Sequence, residues 1–272
     1  MTMLSDYGSE RMNRFPLRLR SERVAHAADR KEIVRRLVDI ALSSFLLVVL
    51  APVMVLVAAA VKLDSPGPIL FRQVRTGRNR RRTEGNGGND RRRLEAFGKP
   101  FTLCKFRTMY ADARERFPDL YRYQYSEIEL RTIPIKVLVG SKRGVAAAVE
   151  DIDVASLHGY QDPRVTRVGR WLRRTSLDEL PNLFNVLKGD MHLVGPRPDI
   201  DSNIRYYHGD ELRILDVKPG VTGLAQIRGR GLLTFEQTNR FDLEYVRNRS
   251  LALDLEILVR TIPVLWKREG AR

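Results

Sequence analysis

The strongest pattern in the chain is a nearly unbroken apolar run, LVDIALSSFLLVVLAPVMVLVAAAV, from Leu37 to Val61. At about 1.5 Å per residue, a helix of this length reaches roughly 37 Å, enough for a hydrocarbon core of about 30 Å. Its length and its lack of a polar face favour membrane residence over a buried helix of a soluble protein. Pro52 falls mid-segment. It removes a backbone donor and crowds the carbonyl of Val48, which predicts a kink. Arg30, Lys31, Arg35 and Arg36 precede the run, and Lys62, Arg72, Arg75 and Arg78 follow it. Positive flanks on both sides suit a hairpin that enters and leaves on one face. A single span with the weaker flank translocated is the alternative, and the residues leave both open.

Outside this run the pattern is that of a globular domain. Residues 1–36 form a basic, partly helical arm without the apolar core and small-residue site of a cleavable signal peptide. Asp64-Ser65-Pro66-Gly67-Pro68 reads as a loop, and Ile69–Val74 and Phe101–Phe106 as short strands. Residues 78–95 between them are rich in Arg, Gly and Asn and too polar to build a core. Val165, Val168 and Leu172 recur at helical spacing, as do Leu177, Leu180, Phe184 and Leu187, with Gly189 placed to end the second helix. Glu236–Arg247 also reads as a helix. Leu251–Lys267 suits either a helix lying on a membrane surface or an ordinary core helix.

Composition narrows the partners. Lys and Arg number 48 against 33 acids, a net charge of +15. That excess calls for nucleic acid, anionic lipid or a phosphorylated substrate. A single cysteine, Cys104, excludes an internal disulfide framework. With only four His, no Cys/His metal spacing exists, although a metal held by carboxylates stays open.

Candidate chemistry centres on Thr175-Ser176-Leu177-Asp178-Glu179-Leu180-Pro181. Thr175 with Asp178, and Ser176 with Glu179, both fit a capping box, so the two carboxylates can be read as helix caps alone. The same placement also suits function, because an ionised aspartate at a helix start is a competent nucleophile toward phosphorus. Attack on a diphosphate needs cations nearby. Arg170, Arg173 and Arg174 precede the pair, and Arg197 sits in the rigid turn Gly195-Pro196-Arg197-Pro198. Mg²⁺ would screen the remaining charge. Pro219-Gly220-Val221-Thr222-Gly223 reads as a glycine loop. His192 and Cys104 read as structural.

Six motifs then occur in order: Asp64-Ser65-Pro66-Gly67-Pro68-Ile69; Lys105-Phe106-Arg107-Thr108-Met109; Asp162-Pro163-Arg164-Val165-Thr166; the run from Ser176 to Met191; Val194-Gly195-Pro196-Arg197-Pro198; and Lys218-Pro219-Gly220-Val221-Thr222-Gly223. This arrangement resembles the bacterial sugar transferase family, the monotopic polyprenyl-phosphate phosphoglycosyl transferases. The resemblance implies an α+β, mostly helical fold: a re-entrant membrane helix hairpin over 37–61 with its break at Pro52, and a cytoplasmic catalytic domain over 62–272 with a short β-hairpin and surface amphipathic helices. Residues 80–96 and 112–156 are then insertions. It implies Asp178 as nucleophile, Glu179 as its acidic partner, Mg²⁺ at the pair, and phosphate contacts from Lys105, Arg173 and Arg197. A phosphosugar would pass from a UDP-sugar to undecaprenyl phosphate at the inner membrane, among anionic lipids and without nucleic acid. Two positions depart from the family's pattern: Ala51 precedes Pro52 where serine is usual, and His192 stands where serine is common.

Two other classes compete. A nucleic-acid-binding protein fits the net charge but leaves Leu37–Val61 unexplained. A non-catalytic membrane scaffold would use Asp178 and Glu179 only as caps.

Overall fold

The apolar run forms the middle of one long helix, α1 (Phe15–Asp64). The structure is a computed structural model that describes residues 15–79, 97–118, 121, 162–229 and 232–267, and side chains from residue 30 to 266 within them. The expected insertion at 80–96, and all but a few residues of that at 112–156, lie outside the described residues. Basic arm and apolar segment share α1. Pro52 sits inside this helix, not in a loop between two helices, so any redirection of the chain there is a bend within α1. Among the described residues α1 is the one helix long and apolar enough to cross a membrane, by length and composition.

After α1 come β1 (Leu70–Thr76), β2 (Pro100–Phe106), α2 (Ala113–Arg116), α3 (Arg167–Thr175) and a 3-10 turn at Leu177–Glu179. Then follow α4 (Asn182–Lys188), β3 (His192–Val194), α5 (Asp201–Ile204), a 3-10 stretch at Gly209–Asp216 and β4 (Gly220–Thr222). The chain closes with α6 (Leu224–Gly229), α7 (Phe235–Asn248) and α8 (Leu251–Lys267). The architecture is mostly helical with two small sheets. β1 and β2 pair antiparallel from Leu70 opposite Phe106 to Thr76 opposite Pro100, which is the expected hairpin. β3 and β4 pair in parallel, His192 beside Gly220 and Val194 beside Thr222. The stretch read as a glycine loop therefore contributes a strand. Its glycine permits close approach: a Cβ on Gly220 would lie 2.1 Å from the Gly195 nitrogen.

The main core gathers Phe101, Leu103, Leu183, Val186, Met191, Leu193, Val194, Leu224, Tyr245 and Ile257. Phe184, on the apolar stripe that the spacing predicts with Leu177, Leu180 and Leu187, is exposed. The turn at Leu177–Glu179 and Pro181 at the head of α4 reset the helical phase, so Leu183 and Val186 face the core instead. Gly189 ends α4 in the left-handed conformation, as its position predicts.

From Glu32 to Asp64, α1 lies on this domain. Leu42, Leu46 and Leu47 pack on the main core, and Val53, Val57 and Val61 pack on a second cluster with Phe106 and Leu172. Its other face is bare: Phe45, Val48, Val55 and Leu56 are exposed, Val48 by 75%. α8 is similar, with Leu255, Val259, Ile262 and Trp266 exposed and Ile257 buried. It is therefore core on one side and uncovered on the other.

Both ends of the apolar run are bonded to the domain. At the first end, Arg35 Nε donates to Asp254 at 2.6 Å, and Arg36 donates to the carbonyls of Val186 and Leu187. Asp39 is buried, 3% exposed. It accepts from the Leu193 amide at 3.0 Å and meets the ring of His192. His192 is buried as well, with Glu32 at its other nitrogen at 3.0 Å. At the far end, Asp64 accepts from the Val168 amide at 3.1 Å. Arg107 donates to the carbonyls of Ser65, Pro68 and Val61 and to the Ser65 hydroxyl.

α3 owes its position to Gly169. Thr166 caps the helix by accepting from the Gly169 amide at 2.9 Å, and a Cβ at 169 would lie 2.0 Å from the Thr108 carbonyl oxygen. Gly169→Ala is expected to push α3 off the Lys105–Met109 segment. The loss of stability should be about 1–3 kcal/mol, the usual range for overpacking, and thermal unfolding of the detergent-solubilised protein would measure it.

Candidate active site

Three chain segments meet at Glu179. α3 ends at Thr175, whose hydroxyl turns back to the Trp171 and Leu172 carbonyls. Ser176 then takes φ 56°, the one non-glycine residue with positive φ among the described residues. Such a conformation costs of order 1–3 kcal/mol and persists only when its surroundings enforce it. Here it swings Asp178 and Glu179 out of the line of α3. The capping-box reading does not hold, because Ser176 makes no capping bond with its side chain and Glu179 is engaged elsewhere.

Glu179 Oε1 accepts from Lys105 Nζ at 2.7 Å and from Arg197 Nη2 at 2.9 Å. Lys105 comes from β2. Arg197 comes from the turn after β3, which is tied to β4 by Gly220 N donating to the Pro196 carbonyl at 2.8 Å and Gly195 N to the Thr222 carbonyl at 2.9 Å. Burial alone would raise the Glu179 carboxyl, but Arg197 and Lys105 outweigh it and hold the group well below the usual range. Burial pushes Lys105 down, while the Glu179 charge pushes Arg197 up.

Asp178 has the opposite character. Burial, and then the neighbouring Glu179 charge, raise its carboxyl against the pull of Lys105, Arg173 and Arg197. Among the described residues none donates a hydrogen bond to it. Arg173 is the third cation, its Nε donating to the Thr108 hydroxyl at 3.0 Å. The structure thus brings together Asp178, Glu179, Lys105, Arg173 and Arg197. It leaves out Arg170, which donates to the Val165 carbonyl, and Arg174, which is exposed. Pro52 lies on α1, away from this group.

The donor set can be tested against Mg²⁺. Both cationic bonds to Glu179 fall on Oε1. No third His, Cys, Asp or Glu joins the pair among the described residues. Mg²⁺ is commonly held by one or two carboxylates with substrate phosphates and water completing the shell, so the pair fits.

Two site residues escaped the sequence reading. Arg75 was read as a flanking charge, and Asn182 as part of a motif without a role. Both line a small polar pocket, partly open to solvent, together with Lys105, Glu179 and Arg197. Arg75 reaches it only through the β1–β2 register, which sets it opposite Phe101. Nothing in the local sequence carries that information.

Residues 30–268 match the family described as bacterial sugar transferase. A UDP-glucose:undecaprenyl-phosphate glucose-1-phosphate transferase of Caulobacter vibrioides is 36% identical over 88% of this chain and 72% of its own length. An uncharacterized sugar transferase, EpsL, of Bacillus subtilis is 34% identical over 88% of this chain and 90% of its own. The undecaprenyl-phosphate galactose phosphotransferase of Salmonella typhimurium is 36% identical over 88% of this chain, which spans only 41% of that longer protein. An uncharacterized sugar transferase of Haemophilus influenzae is likewise matched over 42% of its length. With the match running from the basic end of α1 to the end of α8, the chain belongs to the bacterial sugar transferase family.

Proposed function

We propose that this protein transfers a phosphosugar from a UDP-sugar to polyprenyl (undecaprenyl) phosphate, giving polyprenyl diphosphosugar and UMP, as the first membrane step of bacterial glycan assembly. The observation that carries this reading is the Asp178–Glu179 pair set among Lys105, Arg173 and Arg197, in a family whose named relatives include undecaprenyl-phosphate sugar phosphotransferases. Asp178 is the nucleophile. One carboxylate oxygen attacks the sugar-bearing phosphorus, the bond from that phosphorus to the bridging oxygen breaks, and UMP leaves with the electron pair. An oxygen of polyprenyl phosphate then attacks the same phosphorus, and the Asp178 carboxylate leaves restored. Lys105, Arg173 and Arg197 offset the repulsion between the anionic nucleophile and the anionic diphosphate. Mg²⁺ bound by Asp178 and Glu179 would supply further screening of the diphosphate charge.

The re-entrant topology belongs to the same reading. A span would put the two ends of the apolar run on opposite sides of the membrane. Yet Arg35, Arg36 and Asp39 at one end, and Val61 and Asp64 at the other, are bonded to one folded domain. The exposed apolar faces of α1 and α8 supply a surface for lipid, and the net charge suits anionic headgroups. The catalytic domain and the basic arm then both stay in the cytoplasm, where nucleotide-sugars are made.

Asp178→Asn should fold and enter membranes yet lose several orders of magnitude in rate, because the amide cannot attack phosphorus. Release of UMP from UDP-sugars in detergent measures this. Mass spectrometry after donor is added without acceptor should find the phosphosugar on Asp178 in the parent and none in the variant; near-normal turnover by the variant would end the mechanism. Chelation by EDTA should stop turnover and Mg²⁺ should restore it, whereas full activity after exhaustive metal removal would remove Mg²⁺ from the reading.

Topology is open to thiol labelling of intact spheroplasts in a Cys104→Ser background. Neither Ser9→Cys nor Ser250→Cys should react with a membrane-impermeant reagent, while adding Pro52→Leu should let some Ser9→Cys molecules become labelled. External labelling of Ser9→Cys in the parent would show a spanning helix.

A further inference from the structure

β2 brings Lys105 to the acidic pair, and β1 covers one edge of that strand. Among the described residues no strand covers the other edge. Backbone amides and carbonyls enclosed without partners are costly, so this edge needs them. Asn185 of α4 supplies two. Its Nδ2 donates to the Thr102 carbonyl at 2.7 Å, and its Oδ1 accepts from the Cys104 amide at 3.2 Å. A carboxamide carries the donor and the acceptor of a peptide group, so this side chain stands where a third strand would pair. The bonds also fix which way the amide faces, because turning it over would set donor against donor. Asn185 is 1% exposed.

Neither bond belongs to the chemistry just described, but both lie beside it. Cys104 immediately precedes Lys105, and Asn185 sits in the helix that follows Glu179 and Pro181. The segments joined by Lys105 and Glu179 at 2.7 Å are therefore joined again through Asn185. Its main chain adds a further connection. The Asn185 carbonyl accepts from the Asp190 amide at 3.1 Å and the Met191 amide at 3.4 Å, where the chain leaves α4 for β3 and the Arg197 turn.

We propose that Asn185 is a positioning residue for the transfer, holding the Lys105 ammonium in register with Glu179 and Asp178 through its paired bonds to β2. The inference rests on the transfer reaction above. An ammonium is a point charge on a flexible stem, so the ion pair alone sets a distance and leaves β2 free to tilt or slide. One carboxamide bonded to two successive peptide groups removes both freedoms. A side chain present for packing alone would not need both ends of its amide engaged.

Two variants of similar size test this in the full-length protein in detergent. Asn185→Leu loses both bonds. Asn185→Asp, the milder change, keeps the acceptor for Cys104 and loses the NH₂ that meets Thr102. Loading of the enzyme by UDP-sugar without acceptor is followed in a single turnover, where the amplitude counts folded molecules and the rate constant does not. Asn185→Leu should lower that rate constant about tenfold to a hundredfold, the cost of a small misplacement at the reacting centre. Asn185→Asp should fall between it and the parent. Ile214→Ala, in a separate core cluster, should lower the melting temperature yet leave the rate constant within about twofold of the parent's. A second readout needs no turnover. Acetylation of Lys105 by acetic anhydride, mapped by mass spectrometry against the exposed Lys99, should quicken about fivefold in Asn185→Leu, the equivalent of one lost hydrogen bond. A loading rate constant, or a Lys105 labelling rate, that stays within about twofold of the parent's in both Asn185 variants overturns the inference. So does an equal fall of the rate constant in Ile214→Ala, since any loss of stability would then suffice. A parent that loads no phosphosugar would instead fail the transfer reading, and the labelling alone would decide whether Asn185 holds Lys105.

Discussion

Everything at this site hangs on one carboxylate held by two cations. Glu179 Oε1 joins Lys105 of the β1–β2 hairpin to Arg197 of the turn after β3. It lies in the 3-10 turn that follows α3, so three separately folded pieces meet at a single oxygen atom. An exposed ion pair would hold them weakly, since such pairs contribute little. This one is largely withdrawn from solvent, with Lys105 16% and Glu179 21% exposed at the side chain, so its attraction is less screened. Removing either cation would leave a partly buried charge without its partner, which is the expensive outcome.

The electrostatic consequence is a division between two adjacent acids. Glu179 takes the close contacts with Lys105 and Arg197 and is held ionised. Asp178 receives their influence only through space, and burial raises its carboxyl. An Asp178 carboxylate bound as tightly as Glu179 would be a poor nucleophile, because its lone pairs would be spent on donors. The strained Ser176 backbone helps keep the two apart, since it brings Glu179 round to the cations.

Much of this could be read along the chain, and the exceptions share a cause. The apolar run, both hairpin strands, the Gly189 stop and the acidic pair are local signals of periodicity, turn chemistry or motif. The role of the acidic pair was ambiguous locally, because a capping box and a nucleophile at a helix start need the same residues. The positive φ at Ser176 and the distant partners of Glu179 speak against the capping box alone. Phe184 was assigned to the wrong face because the helical phase changes between Glu179 and Asn182, where a proline intervenes. Arg75 was invisible because its neighbours in space, Pro198 and Gln73, are set by strand register and by the turn after β3. The partners of Asp39, His192 and Leu193, were hidden for a similar reason, because they lie far along the chain.

Those partners of Asp39 connect the membrane helix to the chemistry. β3 is only three residues long, and each is held from outside its sheet. His192 meets Asp39 and Glu32, the Leu193 amide donates to Asp39, and the Val194 carbonyl accepts from the Tyr245 hydroxyl at 3.2 Å. The same hydroxyl, with one proton to share, also meets Asp254 at 2.7 Å, the carboxylate that pairs with Arg35 of α1. The very next residues are Gly195, Pro196 and Arg197. The strand that delivers Arg197 to Glu179 is therefore clamped by α1 through both Asp39 and Arg35. His192 serves this clamp with both ring nitrogens, Nδ1 at Asp39 and Nε2 at Glu32.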